Sequence, residues 1–454
     1  MDVARGFALL GILFVNIQAF AEPFGRFVSP LPEGPGALTA ACFYFVKIFC
    51  EGKFYPLFSM LFGMGLVLQM RSVTGGGGNF YAVYIRRLLW LFLMGLSHAL
   101  LLWYGDILFI YSIAGVALML LARLSPRVLL GIGVGLVLFG TVLQAGVTAL
   151  TLAAPQPAAR AERAAAATGA TPPADAGQTG SPDVNEPAPD APNQTEVAAT
   201  EPAREPPTPF MRLMEGFRTG AVQQPDSPIW MEAETEATRD GPYLQAFLFR
   251  VFSWLMYMFV CVFGFGWHVL GMFCIGAGLL GTGLLSPRGA AWQTRFILLG
   301  LLVGVPACVL GAALPGVAGV SWWTMGLYSV VQMTCGPLLS LMYLCTAATL
   351  VRTGTLAPVT GVLASVGRMA LTNYIMHTLV ATFIFYHWGL AQFGSWSRPE
   401  RCGLVLAIFA AQCVISPLWL SVFRFGPLEW VWRSVTYLRP QPLLRRGARA
   451  DAGP

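Results

Sequence analysis

Long apolar runs separated by short polar or arginine-bearing stretches recur along the chain from residue 4 to residue 424. A helix needs about 20 apolar residues to cross a ~30 Å hydrocarbon layer with its backbone groups satisfied internally. The first run extends from about Ala4 to Phe20, followed by Phe54 to Met70, Tyr84 to Trp103, Ile107 to Leu121 and Val128 to Leu152. Residues 246–284 are apolar throughout and too long for one straight crossing, which fits either one membrane helix or two, an interfacial helix joined to a sixth span being one arrangement. Three more runs lie near 296–314, 323–350 and 369–388, and a tenth near Leu404 to Phe423. The pattern predicts an all-α fold, a polytopic membrane bundle of about ten transmembrane helices.

The polar stretches divide this pattern. A connection with Pro23, Pro30, Pro32 and Pro35 leads into a short amphipathic stretch at 38–50. Residues 155–207 are dominated by Ala, Pro, Thr, Glu and Asp, with almost nothing to build a core, and read as a disordered linker. Phe210, Met211, Leu213, Met214, Phe217, Trp230 and Tyr243 return after it, which predicts packing against the membrane surface. The organisation is therefore an N-terminal bundle of five spans (1–153), an acidic extracytoplasmic insert with an interfacial end (154–245), a C-terminal bundle (246–437) and a basic tail (438–454). Ala19-Phe20-Ala21 resembles a signal-peptidase site. Asn16 and Gln18 within the run favour a retained helix instead.

Composition excludes a soluble domain, since 56% of the 454 residues are hydrophobic and 11% charged, against about 25% charged in soluble domains. The net charge of +6 conceals two regions. Residues 155–245 hold 14 acidic and 6 basic residues, and the remaining 363 hold 8 acidic and 22 basic. Arg71, Arg86, Arg87, Arg123, Arg127, Arg288, Arg295, Arg352, Arg368 and the arginines from Arg424 onward fall on one side of ten crossings. That side is the cytoplasm by the positive-inside rule, with both termini inside and the acidic insert outside. Arginine outnumbers lysine 26 to 2, the coding bias of a GC-rich bacterium, which points to a bacterial cytoplasmic (inner) membrane. The basic excess is spent on orientation, so the expected partner is the lipid bilayer and no nucleic acid. Nine scattered cysteines form neither a disulfide framework nor a CxxC site, and no metal site is expected.

Polar groups inside a bilayer are costly and need a partner or a task. Arg5 and Asn16 lie on the first span, Asn16 about 16 Å deeper. Lys53 begins the second span; His98 sits late in the third and Asp106 opens the fourth. Asn373 and His377 share a face of the ninth. A carboxylate beside an imidazole fixes one tautomer and raises the basicity of the other nitrogen, as a general base requires, which makes His98 and Asp106 the catalytic candidates. The competing reading makes Asp106 a helix cap and His98 an interhelical hydrogen-bond partner. For Asn373 and His377 the corresponding alternative is a bond that fixes helix packing. Glu429 and Arg433 are spaced for a helical ion pair, with Trp430 and Trp432 as interfacial anchors. The Gly75 to Gly78 run lacks the following Lys-Ser/Thr of a phosphate loop and reads as a turn.

Asp2-Val3-Ala4-Arg5-Gly6-Phe7-Ala8-Leu9-Leu10-Gly11-Ile12 with Val15-Asn16-Ile17 resembles the opening of the YeiB-like bacterial inner-membrane proteins, domain of unknown function 418. Gly52-Lys53-Phe54-Tyr55, Gly95-Leu96-Ser97-His98, Leu102 through Leu108, Gly367 through Tyr374 and Gly426 through Arg433 fit the same pattern. The resemblance covers nearly the whole membrane part and omits 155–207. It departs at His377, where members of that family often carry Gln. The family's opening is in turn similar to that of the acyltransferase-3 proteins and heparan-α-glucosaminide N-acetyltransferase. The functional His of the acyltransferase-3 pattern is replaced here by Asn16, and the heparan enzyme also has Asn there.

The resemblance implies an acyltransferase-like membrane enzyme. It would move an acyl group from a cytoplasmic donor, acetyl-CoA or another acyl-CoA as co-substrate with no bound cofactor, to an envelope glycan or lipid. Arg5 and Arg368 are then expected to hold donor phosphates, His98 to act as base oriented by Asp106, and Asn16, Lys53, Asn373 and His377 to bind or position substrate. The alternatives are a transporter or flippase of a small amphiphile and a structural or sensory membrane protein.

Overall fold

The computed structural model describes residues 1–153, 206–222 and 226–445. The linker expected at 155–207 and the end of the basic tail lie almost wholly outside the described residues. Among the described residues the secondary structure is almost entirely helical: α1 (Asp2–Ala21), α2 (Phe24–Phe27), α3 (Ala37–Phe45), α4 (Phe54–Gly75), α5 (Phe80–Leu101), α6 (Leu108–Leu121) and α7 (Pro126–Ala153) form the first half. The second half contains α8 (Pro209–Thr219), α9 (Pro228–Arg239), α10 (Tyr243–Val260), α11 (Gly266–Thr282), α12 (Ala290–Leu299), α13 (Val305–Ala318) and α14 (Trp322–Thr353). It ends with α15 (Ala357–Arg368), α16 (Ala370–Phe385), α17 (Arg398–Val422) and α18 (Pro427–Thr436).

Every span expected from hydropathy is a helix. Among the described residues eight helical runs are long and apolar enough to cross a membrane, while α6, α11 and α16 are shorter apolar helices. Single π-helical turns join α3 toward α4, α10 to α11 and α12 to α13, so residues 243–282 are helical throughout. The amphipathic α15 was not expected. Leu356, at φ 58°, turns the chain into it, and Pro358 occupies its first turn.

Lipid offers no hydrophobic drive between helices, so close packing at small residues holds the bundle. A Cβ at Gly63 would lie 2.1 Å from the Phe273 carbonyl oxygen, and one at Gly276 would lie 2.1 Å from that of Met60, locking α4 to α11. Gly6 and Gly367 do the same for α1 and α15, with the Leu363 and Asp2 carbonyl oxygens 2.0 Å from the two Cβ positions. The arginines that the positive-inside pattern assigns to the cytoplasm gather at one end. There Arg86 Nε donates to the Thr436 carbonyl, Arg87 stacks on Trp432, and Arg445 donates to the Leu420 carbonyl.

At the opposite end α8 and α9 dock on the bundle, capped by Thr208 and Ser227. Their core is Leu213, Val222, Trp230, Ala233 and Ala237 against Phe249 of α10. Glu234 anchors them, its buried Oε2 accepting from the Phe24 backbone N–H (3.1 Å) and Trp230 Nε1 (3.0 Å). Burial pushes its carboxyl up to about 7, against the lowering effect of those two bonds.

Candidate functional site

The tight Trp103–Gly105 turn between α5 and α6 brings His98 and Asp106 together in the interior. His98 Nδ1 lies 2.8 Å from Asp106 Oδ2, and both side chains are buried. Asp106 Oδ1 also accepts from the Phe109 backbone N–H at 2.8 Å, capping α6. With the carboxylate accepting from Nδ1–H, Nε2 is the basic nitrogen, and it lies 2.8 Å from Thr378 Oγ1 of α16. Both readings of Asp106, cap and imidazole partner, therefore hold at once. Thr378 was not foreseen, because a threonine in an apolar helix gives no signal until the opposing helix is known.

Two cavities lie at opposite ends of α1 and α4; His98 and Asp106 line neither, but their neighbours Trp103, Ile107 and Tyr374 do. The one at the arginine-rich end has a volume of about 190 Å³. Arg5, Arg87 and Arg368 converge on it around an apolar interior that includes Leu9, Phe62 and Leu371. Arg5 Nη1 pairs with Asp2 (2.6 Å), and Arg87 lies 4.6 Å from the Trp432 ring centroid. Arg5 and Arg368 were singled out by sequence; Arg87 was read only as a topology signal.

The second cavity, about 360 Å³, lies toward the end that carries α8 and α9. Asn16 lines it with Glu51, Gln144, Tyr328 and Gln332, between aromatic walls that include Tyr55 and Trp103. Lys53 does not line either cavity. It is buried, with Nζ donating to the Lys47 carbonyl (2.9 Å) and to Gln332 Oε1, tying the start of α4 to α14. The neighbouring Lys47 pairs with Glu51 (2.8 Å), whose Oε1 accepts from the Tyr328 hydroxyl.

Asn373 and His377 share a face but turn toward α17. Asn373 Nδ2 donates to Ser416 Oγ (3.2 Å) and the Val366 carbonyl, and His377 Nε2 meets Gln412 Oε1 at 2.9 Å. This is the packing arrangement weighed for them, and neither lines the two cavities. Glu429 corrects the expected ion pair with Arg433. Its carboxylate accepts from the Leu371 and Thr372 backbone N–H groups and Thr372 Oγ1, capping α16, while Arg433 packs over Phe425. A helix N-terminus offers unpaired donors and a positive dipole end, which outcompete an exposed i,i+4 arginine. Burial pushes the Glu429 carboxyl above its ordinary range in spite of these bonds.

A buried ionic cluster was also missed. Arg401 Nη1 lies 2.7 Å from Glu22 and Nη2 2.7 Å from Glu33, and Arg398 joins both acids. Burial raises the Glu22 carboxyl to about 7; Glu33 resists the same burial effect through its bonds to Glu22, Arg398 and Arg401 and falls to about 2. The signal was present in the sequence: Arg398 and Arg401 fall on the side of the tenth span that should lack arginine, so they required acidic partners.

The chain is similar over nearly its full length to three proteins. It is 28% identical to the uncharacterized protein YxaH of Bacillus subtilis (strain 168), covering 98% of this chain and 96% of that one. It is 27% identical to the uncharacterized protein YeiB of Escherichia coli (strain K12), covering 99% and 98%. With the uncharacterized 39.9 kDa protein in the amylase 3' region of Bacillus acidopullulyticus it shares 25% identity over 98% and 95%. No solved structure matches. Residues 282–439 match the family described as protein of unknown function (DUF418). The chain is thus a multi-pass helical protein, similar from end to end to YxaH and YeiB, in which residues 282–439 of the C-terminal half match the DUF418 family.

Proposed function

We propose that this protein is an acyltransferase of the bacterial inner membrane. It takes an acyl group from a thioester donor of the acyl-CoA type at the cytoplasmic face and passes it to a hydroxyl or amine of an envelope glycan or lipid at the other. The observation that carries the reading is the pair of cavities that share Ile12, Ile107 and Tyr374 in their walls, with the His98–Asp106 pair packed behind the Tyr374 ring. With the arginine-rich end in the cytoplasm, Arg5, Arg87 and Arg368 suit the phosphates of the donor, and the apolar interior suits its acyl arm. The amide- and aromatic-lined outer cavity suits an uncharged polar acceptor, with Asn16 among its hydrogen-bonding groups.

In this reaction the acceptor oxygen or nitrogen attacks the thioester carbonyl, its proton passes to His98 Nε2, and the thiolate leaves and takes up a proton to become the free thiol. Asp106 holds the tautomer and stabilises the imidazolium. Nε2 exchanges its Thr378 bond for the acceptor's. The two cavities favour one other reading, a transporter of an amphiphile, which would move solute without making a new ester or amide. Mass spectrometry of envelope extracts from cells with and without the protein tests the proposal. A glycan or lipid species heavier by one acyl group, present only with the protein, is the expected result, and identical extracts would refute it.

A further inference from the structure

Three side chains line both cavities: Ile12 of α1, Ile107 at the start of α6, and Tyr374 of α16. Tyr374 is the largest of the three and is 6% exposed. Its ring centroid lies 5.4 Å from that of His98, and one helical turn further on, on the same face, Thr378 meets His98 Nε2. The aromatic ring thus stands between the arginine-lined cavity and the amide-lined one while packing beside the imidazole.

We infer that the Tyr374 ring is the barrier between two compartments that open toward opposite faces of the membrane. Removing the ring would join them into one passage. The inference rests on the proposed acyl transfer only for what crosses the junction, the acyl group of the donor. The barrier is a property of the fold and is tested without any chemistry.

Gly65 lines the arginine-side cavity, and a Cβ there meets nothing within 4 Å, so Gly65→Cys introduces a thiol without a clash. Cys50 lines the opposite cavity and is replaced by alanine in the parent, and labelling is read at residue 65 by peptide mass spectrometry so that the remaining native cysteines do not contribute. A membrane-impermeant, charged methanethiosulfonate reagent is applied to right-side-out spheroplasts and, separately, to inside-out vesicles. In the parent with intact Tyr374, the new cysteine is expected to react from one side only. With Tyr374→Ala that one-sidedness is lost and the cysteine reacts from both, whereas Tyr374→Phe keeps labelling to one side. A Tyr374→Ala protein labelled only from the original side would be folded and still sealed, which overturns the inference. So would a parent already labelled from both sides. If Tyr374→Ala does not accumulate in the membrane, Tyr374→Val carries the same expectation and the same refutation.

On the acyl-transfer reading the opened variant should also hydrolyse donor without acceptor, since water excluded by the ring now reaches the thioester. Lost one-sidedness without donor consumption by any variant would keep the barrier and refute the enzyme. One-sided labelling of Tyr374→Ala in an active transferase would refute the barrier alone.

Discussion

Asp106→Asn separates the two tasks of one carboxylate. Asn keeps an oxygen that can cap the Phe109 backbone N–H in place of Oδ1, now 2.8 Å away. It replaces Oδ2, 2.8 Å from His98 Nδ1, with an NH₂ group. His98 Nδ1 must then accept, so the proton moves to Nε2 and the basic nitrogen no longer faces the reaction. Exchanging a buried hydrogen bond to a charged group for a neutral one forfeits about 1–2 kcal/mol. Asp106→Ala loses that bond and the cap as well, the cap alone being worth about 1 kcal/mol, so its total loss should reach about 3–4 kcal/mol. Acyl transfer should fall by about 10²–10⁴ in both, the usual contribution of a general base. The assay pairs thermal unfolding in detergent with transfer rate in proteoliposomes. Near-normal transfer by Asp106→Asn would show that the pair is structural, and equal instability of the Asn and Ala variants would show that the cap is not what Oδ1 provides.

Other expectations are independent of catalysis. The Glu234 carboxyl, at about 7 in the folded protein, keeps its proton where the unfolded chain ionises. Docking of α8 and α9 should therefore weaken as pH rises from about 4.5 to about 7 and level off above, by roughly 3 kcal/mol. Glu234→Gln should remove that slope, read by limited proteolysis at pH 5 and pH 8. Gly276→Ala must push α4 and α11 apart and should cost about 1–3 kcal/mol in thermal unfolding, whereas Gly131→Ala, with nothing within 4 Å, should be nearly neutral. Gly65→Leu fills the arginine-side cavity without a clash at Cβ and should abolish donor binding, measured by isothermal titration, at unchanged melting temperature.

The bundle was legible because lipid imposes a simple requirement, an apolar run of adequate length, and each such run became a helix. The His98–Asp106 pair was legible because only a short turn separates them. Orientation residues gave way to chemistry less readably: Arg87 carries the same signal as Arg86, yet only Arg87 lines a cavity. Lys53 shows the converse. A lysine at a span's end reads as substrate-facing, but its ammonium is consumed by the Lys47 carbonyl and Gln332, a residue 279 positions away. The two cavities were not legible, because their walls come from helices as far apart in the sequence as α1, α4, α7, α14 and α16 and exist only once those helices meet. Tyr374 closes the Gly367–Tyr374 stretch of the resemblance, but its position between the cavities appears only when those helices meet.

The most direct test reconstitutes the purified protein in vesicles with acyl-labelled CoA on the arginine-rich side and envelope extract on the other. The account predicts label in a covalent ester or amide on the far side, lost by about 10²–10⁴ in His98→Ala. Equal labelling with His98→Ala, or solute movement with the donor thioester intact, would contradict it.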